Sequence, residues 1–284
     1  MIDVSLVIVT YKEHPDVLRA CFDAVAASRD VTVETIVVDN GGSEATKTLL
    51  AEVLPGAQYA PNPQNRGFAA AVNQGMRVAQ CRYVLLLNPD TVIPDDALAR
   101  MVRHMDRDTD VGIASAVIRY PDGRLQESIR RFPTLIDQVL ILLKAPHVVR
   151  RLPWVDHYMM RDADPLATQD VDSIMGAFMM IRREVIDRIG MFDERYFIWF
   201  EEVDYCKMAR DAGFRVRHYG DVAIVHHKGH TFDQLATIRK QRWVRESMRK
   251  YMAKHHGAAT AAIFWVLAPM FIVLAYLAAF MKKG

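Results

Sequence analysis

The sequence predicts an α/β fold with a mostly parallel sheet and helices on both of its faces. Apolar, β-branched runs alternate with helical patterns along the first 118 residues, and this alternation is typical of parallel sheets. A hydrophobic content of 51% over 284 residues is enough to form the core of one large domain or two small ones. The predicted strands occupy residues 4–11, 33–39, 83–88, 111–118, 171–181 and 215–227.

Helical patterns fill the intervals between these strands. The helix predicted over residues 95–106 follows Pro94, and Asp95 and Asp96 lie at its positive N-terminal end. Prolines interrupt the pattern between residues 119 and 170, so we expect a less regular segment there. The other predicted helices occupy residues 15–28, 43–54, 67–80 and 183–190.

Composition and charge exclude several classes of protein. A formal net charge of +2 excludes a strongly basic nucleic-acid binder, so no nucleic-acid partner is expected. Cys21, Cys81 and Cys206 stand singly with no C-x-x-C pair, which indicates a reducing compartment. The N-terminus has Asp3 and no basic stretch before its apolar run, so it predicts a core strand and not a signal peptide.

The run from residue 258 to 281 contains no charged side chain. As one helix it would be about 36 Å long, and we therefore predict a transmembrane helix, with a buried terminal core helix as the alternative. More basic residues precede this run than follow it, which predicts the cell inner membrane with the catalytic domain on the cytoplasmic side. The basic helix before it would lie against anionic headgroups or form a solvated face. The apolar run over residues 135–154 predicts an interfacial membrane contact or a core helix.

The most informative stretch is RYVLLLNPDTVIPDD, residues 82–96. A strand of hydrophobic residues ends at Asn88, Pro89 and Asp90, and strand ends are where α/β proteins bind ligands. A carboxylate there suits Mg²⁺ or Mn²⁺ bridging a diphosphate. The alternative is a plain turn, because Asn, Pro and Asp are common turn residues.

Several motifs in order resemble those of glycosyltransferase family 2, the inverting enzymes with a GT-A (Rossmann-like) fold. They run from SLVIVTYKEHPDVLRACFDAV through IVVDNGGS, NPQNRGFAAAVNQG, YVLLLNPDT, the segment GAFMMIRREVIDRIGMFDERYFIWFEEVDYCKMARDAGF and VHHKGHTF. The order and spacing look most like the rhamnosyltransferase-like bacterial members. The resemblance covers nearly the whole chain before the apolar run.

The resemblance implies a donor site. Asp39 matches the position that contacts the nucleobase, although it is also a good capping residue for the following helix. Asp90 matches the metal-binding acid of the D-x-D motif, whose first Asp is replaced here by Asn88, and His226 matches a histidine that completes the metal site, with His227 as its competitor. The remaining donor-binding residues implied are Thr10, Tyr11, Asn65, Arg66 and Gly67.

The resemblance also implies an acceptor site and a catalytic base. The acidic pair of the family falls on Glu201 and Glu202, and adjacent helix positions point about 100° apart, so we assign the base to Glu202 alone. The alternative for these acids is solvated charge at a helix start. The acceptor-binding residues implied are Gly176, Ala177, Trp199, Glu201 and Asp204.

We therefore expect an inverting transfer of a sugar from a nucleoside diphosphate sugar, with dTDP-rhamnose as donor, to a lipid-linked or cell-surface glycan acceptor, assisted by Mg²⁺ or Mn²⁺. The alternatives are a nucleotidyltransferase and a catalytically inactive, membrane-anchored nucleotide-sugar-binding protein. The expected organisation is a nucleotide-sugar-binding half (1–118), an acceptor-binding and catalytic half (119–233), a basic juxtamembrane helix (234–257) and the transmembrane helix (258–281).

Overall fold

A mixed β-sheet organises the computed structural model, which describes residues 2–147, 149, 151–227 and 237–281. Most of the predicted strands form, because their apolar runs are buried along their whole length, as in Tyr83–Leu87. The strands are β1 (Val4–Thr10), β2 (Val33–Asp39), β3 (Gln58–Pro61), β4 (Tyr83–Leu87), β5 (Thr91–Val92), β6 (Val111–Arg119), β7 (Ile129–Arg130), β8 (Gln169–Asp170), β9 (Ser173–Ile174), β10 (Phe178–Arg182) and β11 (Arg215–His226).

The helices begin where the sequence offers a capping side chain or a proline. Ser43 accepts a hydrogen bond from the backbone of Thr46 at the start of the second helix, and Pro15 opens the first. The helices are α1 (Pro15–Ala26), α2 (Glu44–Val53), α3 (Phe68–Val78), α4 (Ala97–Arg107), α5 (Leu135–Leu142), α6 (Pro153–Tyr158), α7 (Arg183–Ile189), α8 (Glu201–Asp211), α9 (Thr237–His256), α10 (Ala258–Val266) and α11 (Ala268–Met281).

The strand order of the main sheet is β3-β2-β1-β4-β10-β6-β11-β5. The first four strands of this order are parallel, as predicted. β10 runs antiparallel to both of its neighbours, β4 and β6, and β5 runs antiparallel to β11. The sheet is therefore parallel from β3 to β4 and mixed beyond β4.

Two apolar layers cover the faces of the sheet. Leu6 and Ile8 of β1 pack with residues of α1, α2 and α4, whereas Val7 packs with residues of α3, α7 and α8. This alternation follows from the two-residue period of a strand, which turns successive side chains to opposite faces. The sheet thus lies between two helical layers, as the fold class requires.

The C-terminal apolar run does not form the single helix that we predicted. It is divided into α10 and α11, because Leu267 ends the first helix and Pro269 has no backbone N–H to continue it. The two helices are about 14 Å and 21 Å long, shorter than the roughly 30 Å apolar core of a bilayer. Phe264 and Phe271 pack into an apolar cluster with Tyr251 of α9.

Across the described parts of the chain, the structure contains no helix that is long and apolar enough to span a membrane. The transmembrane helix predicted over residues 258–281 is therefore wrong, and the inner-membrane location predicted from it is not supported. The boundary predicted between residues 233 and 234 lies outside the described residues, as do Lys282 and Lys283. Leu142 of α5 joins the same apolar cluster, which favours the core-helix interpretation of the 135–154 run.

A buried carboxylate joins α8 to α9. The side chain of Asp204 is 1% exposed, and its two oxygens lie 2.7 Å from Nζ of Lys254 and 2.6 Å from Nε2 of His255. The hydroxyl of Tyr196 also donates to this carboxylate, at 3.4 Å. The contact fixes the start of α8 against a helix that follows it by some fifty residues in the sequence.

This contact predicts the effect of Asp204→Asn on stability. The amide cannot pair with Lys254 as the carboxylate does, so we expect the free energy of unfolding to fall by about 1–3 kcal/mol. Asp211→Asn is the matched control on the same helix, because Asp211 is 56% exposed and its pairing with Lys207 is worth about 0.5 kcal/mol or less. Chemical unfolding curves measure both changes, and equal losses in the two variants would contradict the anchoring role of Asp204.

Candidate functional site

The carboxyl ends of the parallel strands bring the predicted nucleobase pocket together. Thr10 at the end of β1 is in register with Asp39 at the end of β2, and both residues are buried. Oγ1 of Thr10 is buried and, within the described residues, has no hydrogen-bond partner. Tyr11 follows directly and is partly exposed. These three predicted residues therefore form one cluster at the edge of the sheet.

The carboxylate of Asp39 also organises the turn after β2. It accepts hydrogen bonds from the backbone N–H groups of Gly41, at 2.9 Å, and Ser43, at 2.7 Å. The hydroxyl of Tyr59 donates to it at 2.8 Å. Asp39 thus stabilises the turn, whereas the side chain that caps α2 is that of Ser43. The contact of Asp39 with a nucleobase stays a prediction.

The loop before α3 approaches the chain segment that precedes α8. Gly67 has φ +88°, and a Cβ at this position would lie 2.6 Å from the carbonyl oxygen of Phe197. Phe68 donates its backbone N–H to the same carbonyl, at 2.8 Å. Asn65 accepts from the N–H of Gly67, at 2.8 Å, whereas Arg66 is exposed. Only glycine fits at this position, because a Cβ would clash with the carbonyl oxygen of Phe197. The close contact brings the predicted donor loop next to the predicted acceptor segment.

Asn40 is a site-forming residue that the sequence reasoning missed. Its side-chain amide donates to the carbonyl of Gly67 at 3.1 Å and accepts from Asn62 at 3.0 Å. The buried side chain thereby connects the loop that follows β2 with both ends of the loop between β3 and α3. Its position immediately after Asp39 was the only signal in the sequence.

Asp90 and His226 meet at the end of β4. Oδ1 of Asp90 lies 3.1 Å from Nε2 of His226, and both side chains are under 10% exposed. Nδ2 of Asn88 lies 3.3 Å from the same ring nitrogen. The chain turns at Pro89 and Asp90 and continues into β5, in which Thr91 pairs with His226 of β11. This strand pairing brings the two predicted metal ligands together.

The neighbouring histidine has a different position. The backbone N–H of His227 donates to the carbonyl of Asp90 at 2.9 Å, so its observed contact with the turn is through the main chain. The imidazole whose nitrogen faces the Asp90 carboxylate is that of His226. Which of the two histidines binds a metal stays a prediction, and the geometry favours His226.

The residues around Asp90 fit a divalent ion that is shared with a phosphate ligand. Among the described residues, no group of three or more His, Cys, Asp or Glu side chains could hold a metal ion by itself. Mg²⁺ sites commonly use only one or two carboxylates together with substrate phosphates and water. The Asp90 carboxylate and the His226 ring nitrogen are suitable oxygen and nitrogen ligands for such an ion.

The turn at Gly176 and Ala177 connects this site to the acidic pair on α8. The carbonyl of Ala177 accepts a hydrogen bond from the backbone N–H of Asn88, at 3.0 Å. On its other side, a Cβ at Gly176 would lie 3.9 Å from Cβ of Glu202. The predicted floor of the acceptor site therefore lies between the end of β4 and Glu202.

Glu201 and Glu202 begin α8 after a strained turn. Trp199 and Phe200 both adopt the left-handed backbone conformation, with φ +63° and +71°. Glu201 is 4% exposed, and Oε2 of each glutamate is buried with no hydrogen-bond partner in the described part of the chain. These carboxyl groups are not solvated charge at a helix start, which was the alternative interpretation.

Burial changes the acidity of the pair. Desolvation raises the pKa of Glu202 to about 7, and the positive charge of Arg130 opposes this increase. Desolvation and the neighbouring Glu202 raise the pKa of Glu201 well above its usual value. A carboxyl group whose pKa lies near neutrality can exchange a proton during a reaction, and such groups often mark functional sites.

Two further residues that sequence reasoning missed flank this site. Gln126 contacts His226 through both atoms of its side-chain amide. Arg130 of β7 lies near enough to Glu202 to affect its pKa. Both lie in the irregular 119–170 segment, where no periodic pattern distinguished them. Of the predicted acceptor residues, Asp204 directs its carboxylate towards α9, and its contact with an acceptor stays a prediction.

Several known proteins resemble this chain in sequence. The sequence model of the family described as "Glycosyl transferase family 2" matches residues 5–190. The N-acetylglucosaminyl-diphospho-decaprenol L-rhamnosyltransferase of Mycobacterium tuberculosis is 26% identical over 92% of this chain and 88% of its own. Rhamnosyltransferase WbbL of Escherichia coli K12 is 25% identical over 87% of this chain and 92% of its own.

A solved structure has the same fold. The mannosyltransferase of Pyrobaculum calidifontis in complex with GDP-Man and Mn²⁺ superposes with a TM-score of 0.59 and 19% identity, covering 99% of this chain and 75% of that one. The family match covers more than half of the chain and includes β4 and Asp90. On this basis the chain belongs to glycosyltransferase family 2 and is a glycosyltransferase.

Proposed function

We propose that this enzyme transfers a sugar, with inversion, from a nucleoside diphosphate sugar to a lipid-linked or cell-surface glycan acceptor. The observation that carries the proposal is the short connection between two chemically different groups. The Gly176–Ala177 turn contacts Asn88, beside the Asp90–His226 pair, and it also lies against Glu202. A diphosphate and an acceptor hydroxyl could therefore bind on either side of one sugar.

The donor would bind along the carboxyl ends of the parallel strands. Thr10, Tyr11 and Asp39 would hold the nucleobase, and the loop of Asn65, Arg66 and Gly67 would contact the ribose or the diphosphate. Asp90 and His226, beside Asn88, would hold Mg²⁺ or Mn²⁺. When bound, such an ion neutralises the charge that develops on the leaving diphosphate.

Glu202 would act as the general base. Its carboxylate accepts the proton of the acceptor hydroxyl while that oxygen bonds to the anomeric carbon, and the bond to the nucleoside diphosphate breaks on the opposite side. A single displacement of this kind inverts the anomeric centre. The pKa of about 7 suits the role, because a base works best when its pKa lies near the working pH. Gly176, Ala177, Trp199 and Glu201 would line the acceptor side.

The names of the relatives support a narrower donor and acceptor. Both curated relatives described above are named rhamnosyltransferases, and one name includes a diphospho-decaprenol acceptor. Each aligns over most of its own length, so the similarity extends beyond the donor-binding half. We therefore propose dTDP-rhamnose as the donor and a polyprenyl-diphosphate-linked glycan as the acceptor.

The experiment that tests this function is release of nucleoside diphosphate from a panel of nucleotide sugars, with lipid extract as acceptor and with Mg²⁺, Mn²⁺ or a chelator. We expect turnover of dTDP-rhamnose that depends on the metal. Asp90→Ala should reduce it by about 100-fold or more, because the charge on the leaving diphosphate is then poorly compensated.

Asp96→Ala is the control for this experiment, because Asp96 lies on the same stretch of chain with a side chain that is 51% exposed. We expect it to retain wild-type turnover. Turnover that is unchanged in Asp90→Ala would contradict the assigned donor site. Turnover of a different nucleotide sugar alone would contradict the proposed donor and leave the reaction type intact.

The raised pKa of Glu202 predicts a pH dependence. The ionised form, which accepts a proton, is lost as pH falls through about 7, so kcat/KM should rise with pH across this value. Glu202→Gln should reduce turnover by about 10²–10⁴-fold, because the amide cannot accept the proton. Steady-state rates measured on both sides of pH 7 test this prediction.

Glu201→Gln provides the comparison for the assignment of the base. It removes the neighbouring carboxyl group but leaves the proton acceptor, so we expect a smaller loss of turnover. The pH limb should stay near pH 7, because it is desolvation that raises the pKa of Glu202. A larger loss in Glu201→Gln than in Glu202→Gln would assign the base to Glu201 instead.

A further inference from the structure

Gln126 is a buried polar residue that the proposed reaction does not use directly. It is 3% exposed and lies in the irregular segment between β6 and β7. Its Nε2 lies 2.6 Å from the carbonyl oxygen of His226 and 3.4 Å from that of Arg119. Its Oε1 lies 3.0 Å from Nδ1 of the His226 ring. A single amide therefore contacts both the main chain and the ring of one histidine.

The orientation of this amide follows from its partners. A carbonyl oxygen can only accept a hydrogen bond, so the NH₂ group of Gln126 must face the carbonyls of His226 and Arg119. Oε1 then faces Nδ1 of His226, and an oxygen there can only accept. Nδ1 of His226 must therefore carry the hydrogen in this contact, so the ring nitrogen left to bind a metal is Nε2, which also lies 3.3 Å from Nδ2 of Asn88.

That nitrogen faces Asp90, whose Oδ1 lies 3.1 Å away. A ring nitrogen with a lone pair next to a carboxylate oxygen is an arrangement that a divalent cation stabilises. Histidines that bind metals usually donate their other ring N–H to a carbonyl or carboxylate, and this contact fixes the tautomer and the direction of the ring. Here the amide oxygen of Gln126 is the acceptor that faces the other ring nitrogen, Nδ1.

We propose that Gln126 is a positioning residue of the donor site, which holds the ring of His226 with Nε2 directed at Asp90 as a metal ligand. The proposal rests on the proposed function, because it requires the metal site at Asp90. It assigns a role to a residue in a segment whose sequence has no recognisable motif. The same side chain also connects the end of β11 with the end of β6, through its contact with the carbonyl of Arg119.

Two substitutions separate positioning from plain packing. Gln126→Met keeps the volume but removes the acceptor from Nδ1 of His226. Gln126→Glu keeps an acceptor there, but its second oxygen faces the carbonyls of His226 and Arg119, which repel it. Both variants should lower the free energy of unfolding, and only the methionine variant loses the contact that directs the ring.

The test is Mn²⁺ binding, measured from the electron paramagnetic resonance signal of free Mn²⁺ in titrations of the whole chain, with and without excess dTDP. We expect the Mn²⁺ affinity to fall by about 10–100-fold in Gln126→Met and to stay within a few-fold of wild type in Gln126→Glu. Chemical unfolding without metal gives the stability of each variant and shows that each is folded at the titration temperature.

Asp90→Ala distinguishes failure of this inference from failure of the proposed function. If Asp90→Ala loses Mn²⁺ affinity and Gln126→Met does not, the metal site stands and the positioning role of Gln126 is wrong. If Mn²⁺ affinity falls in both Gln126 variants in proportion to their stability, Gln126 is only a packing residue. If Asp90→Ala binds Mn²⁺ as wild type does, the proposed metal site itself is wrong.

Discussion

The insertion of β10 between β4 and β6 is the constraint on which the site depends. β10 pairs antiparallel with β4, with Phe178 opposite Leu87, and this register fixes the carbonyl of Ala177 on the backbone N–H of Asn88. The strand that precedes the proposed metal-binding motif and the turn that forms the proposed acceptor floor are thus neighbours by hydrogen bonding. Because α8 packs against the same turn at Gly176, the proposed base also lies beside this turn. The long-range pairing of β10 with β4 therefore positions the groups on which the proposed reaction relies.

The acidic N-terminal end of α8 lowers the stability of the folded protein, and contacts with other parts of the fold hold it in place. Two left-handed residues and two buried carboxyl oxygens without partners, within the described chain, each raise the free energy of the folded state. The apolar cluster around Tyr251 and the contacts of Asp204 with Lys254 and His255 hold this end of the helix in place. The C-terminal helices thus support the strained turn before α8. The same burial that reduces stability brings the pKa of Glu202 to about 7, where a general base is effective.

Much of the fold could be predicted from the sequence, and the exceptions have physical causes. Strands such as β1 and β4 are continuous apolar runs, and local periodicity is enough to identify them. β3 was missed because Gln58–Pro61 is short and largely exposed at the sheet edge. The position of β10 depends on long-range pairing that no local pattern encodes. The apolar run at the C-terminus was misinterpreted because hydropathy alone does not register that Pro269 divides it or that Phe264 packs against α9. At the candidate site, motifs predicted residues that the fold brings close together, such as Asp90 and His226, whereas Gln126 and Asn40 act through side-chain contacts across the fold and leave no signature in the sequence.

In the proposed reaction, one site holds the diphosphate at Asp90 and His226 and directs the sugar at Glu202. The most direct measurement is a crystal structure of the Glu202→Gln variant with an intact nucleoside diphosphate sugar and Mn²⁺, with the metal located by its anomalous scattering. We predict an anomalous peak in contact with Asp90 and Nε2 of His226, and an anomeric carbon that faces the side chain at position 202. A metal peak away from Asp90, or a sugar directed away from position 202, would contradict the proposed reaction.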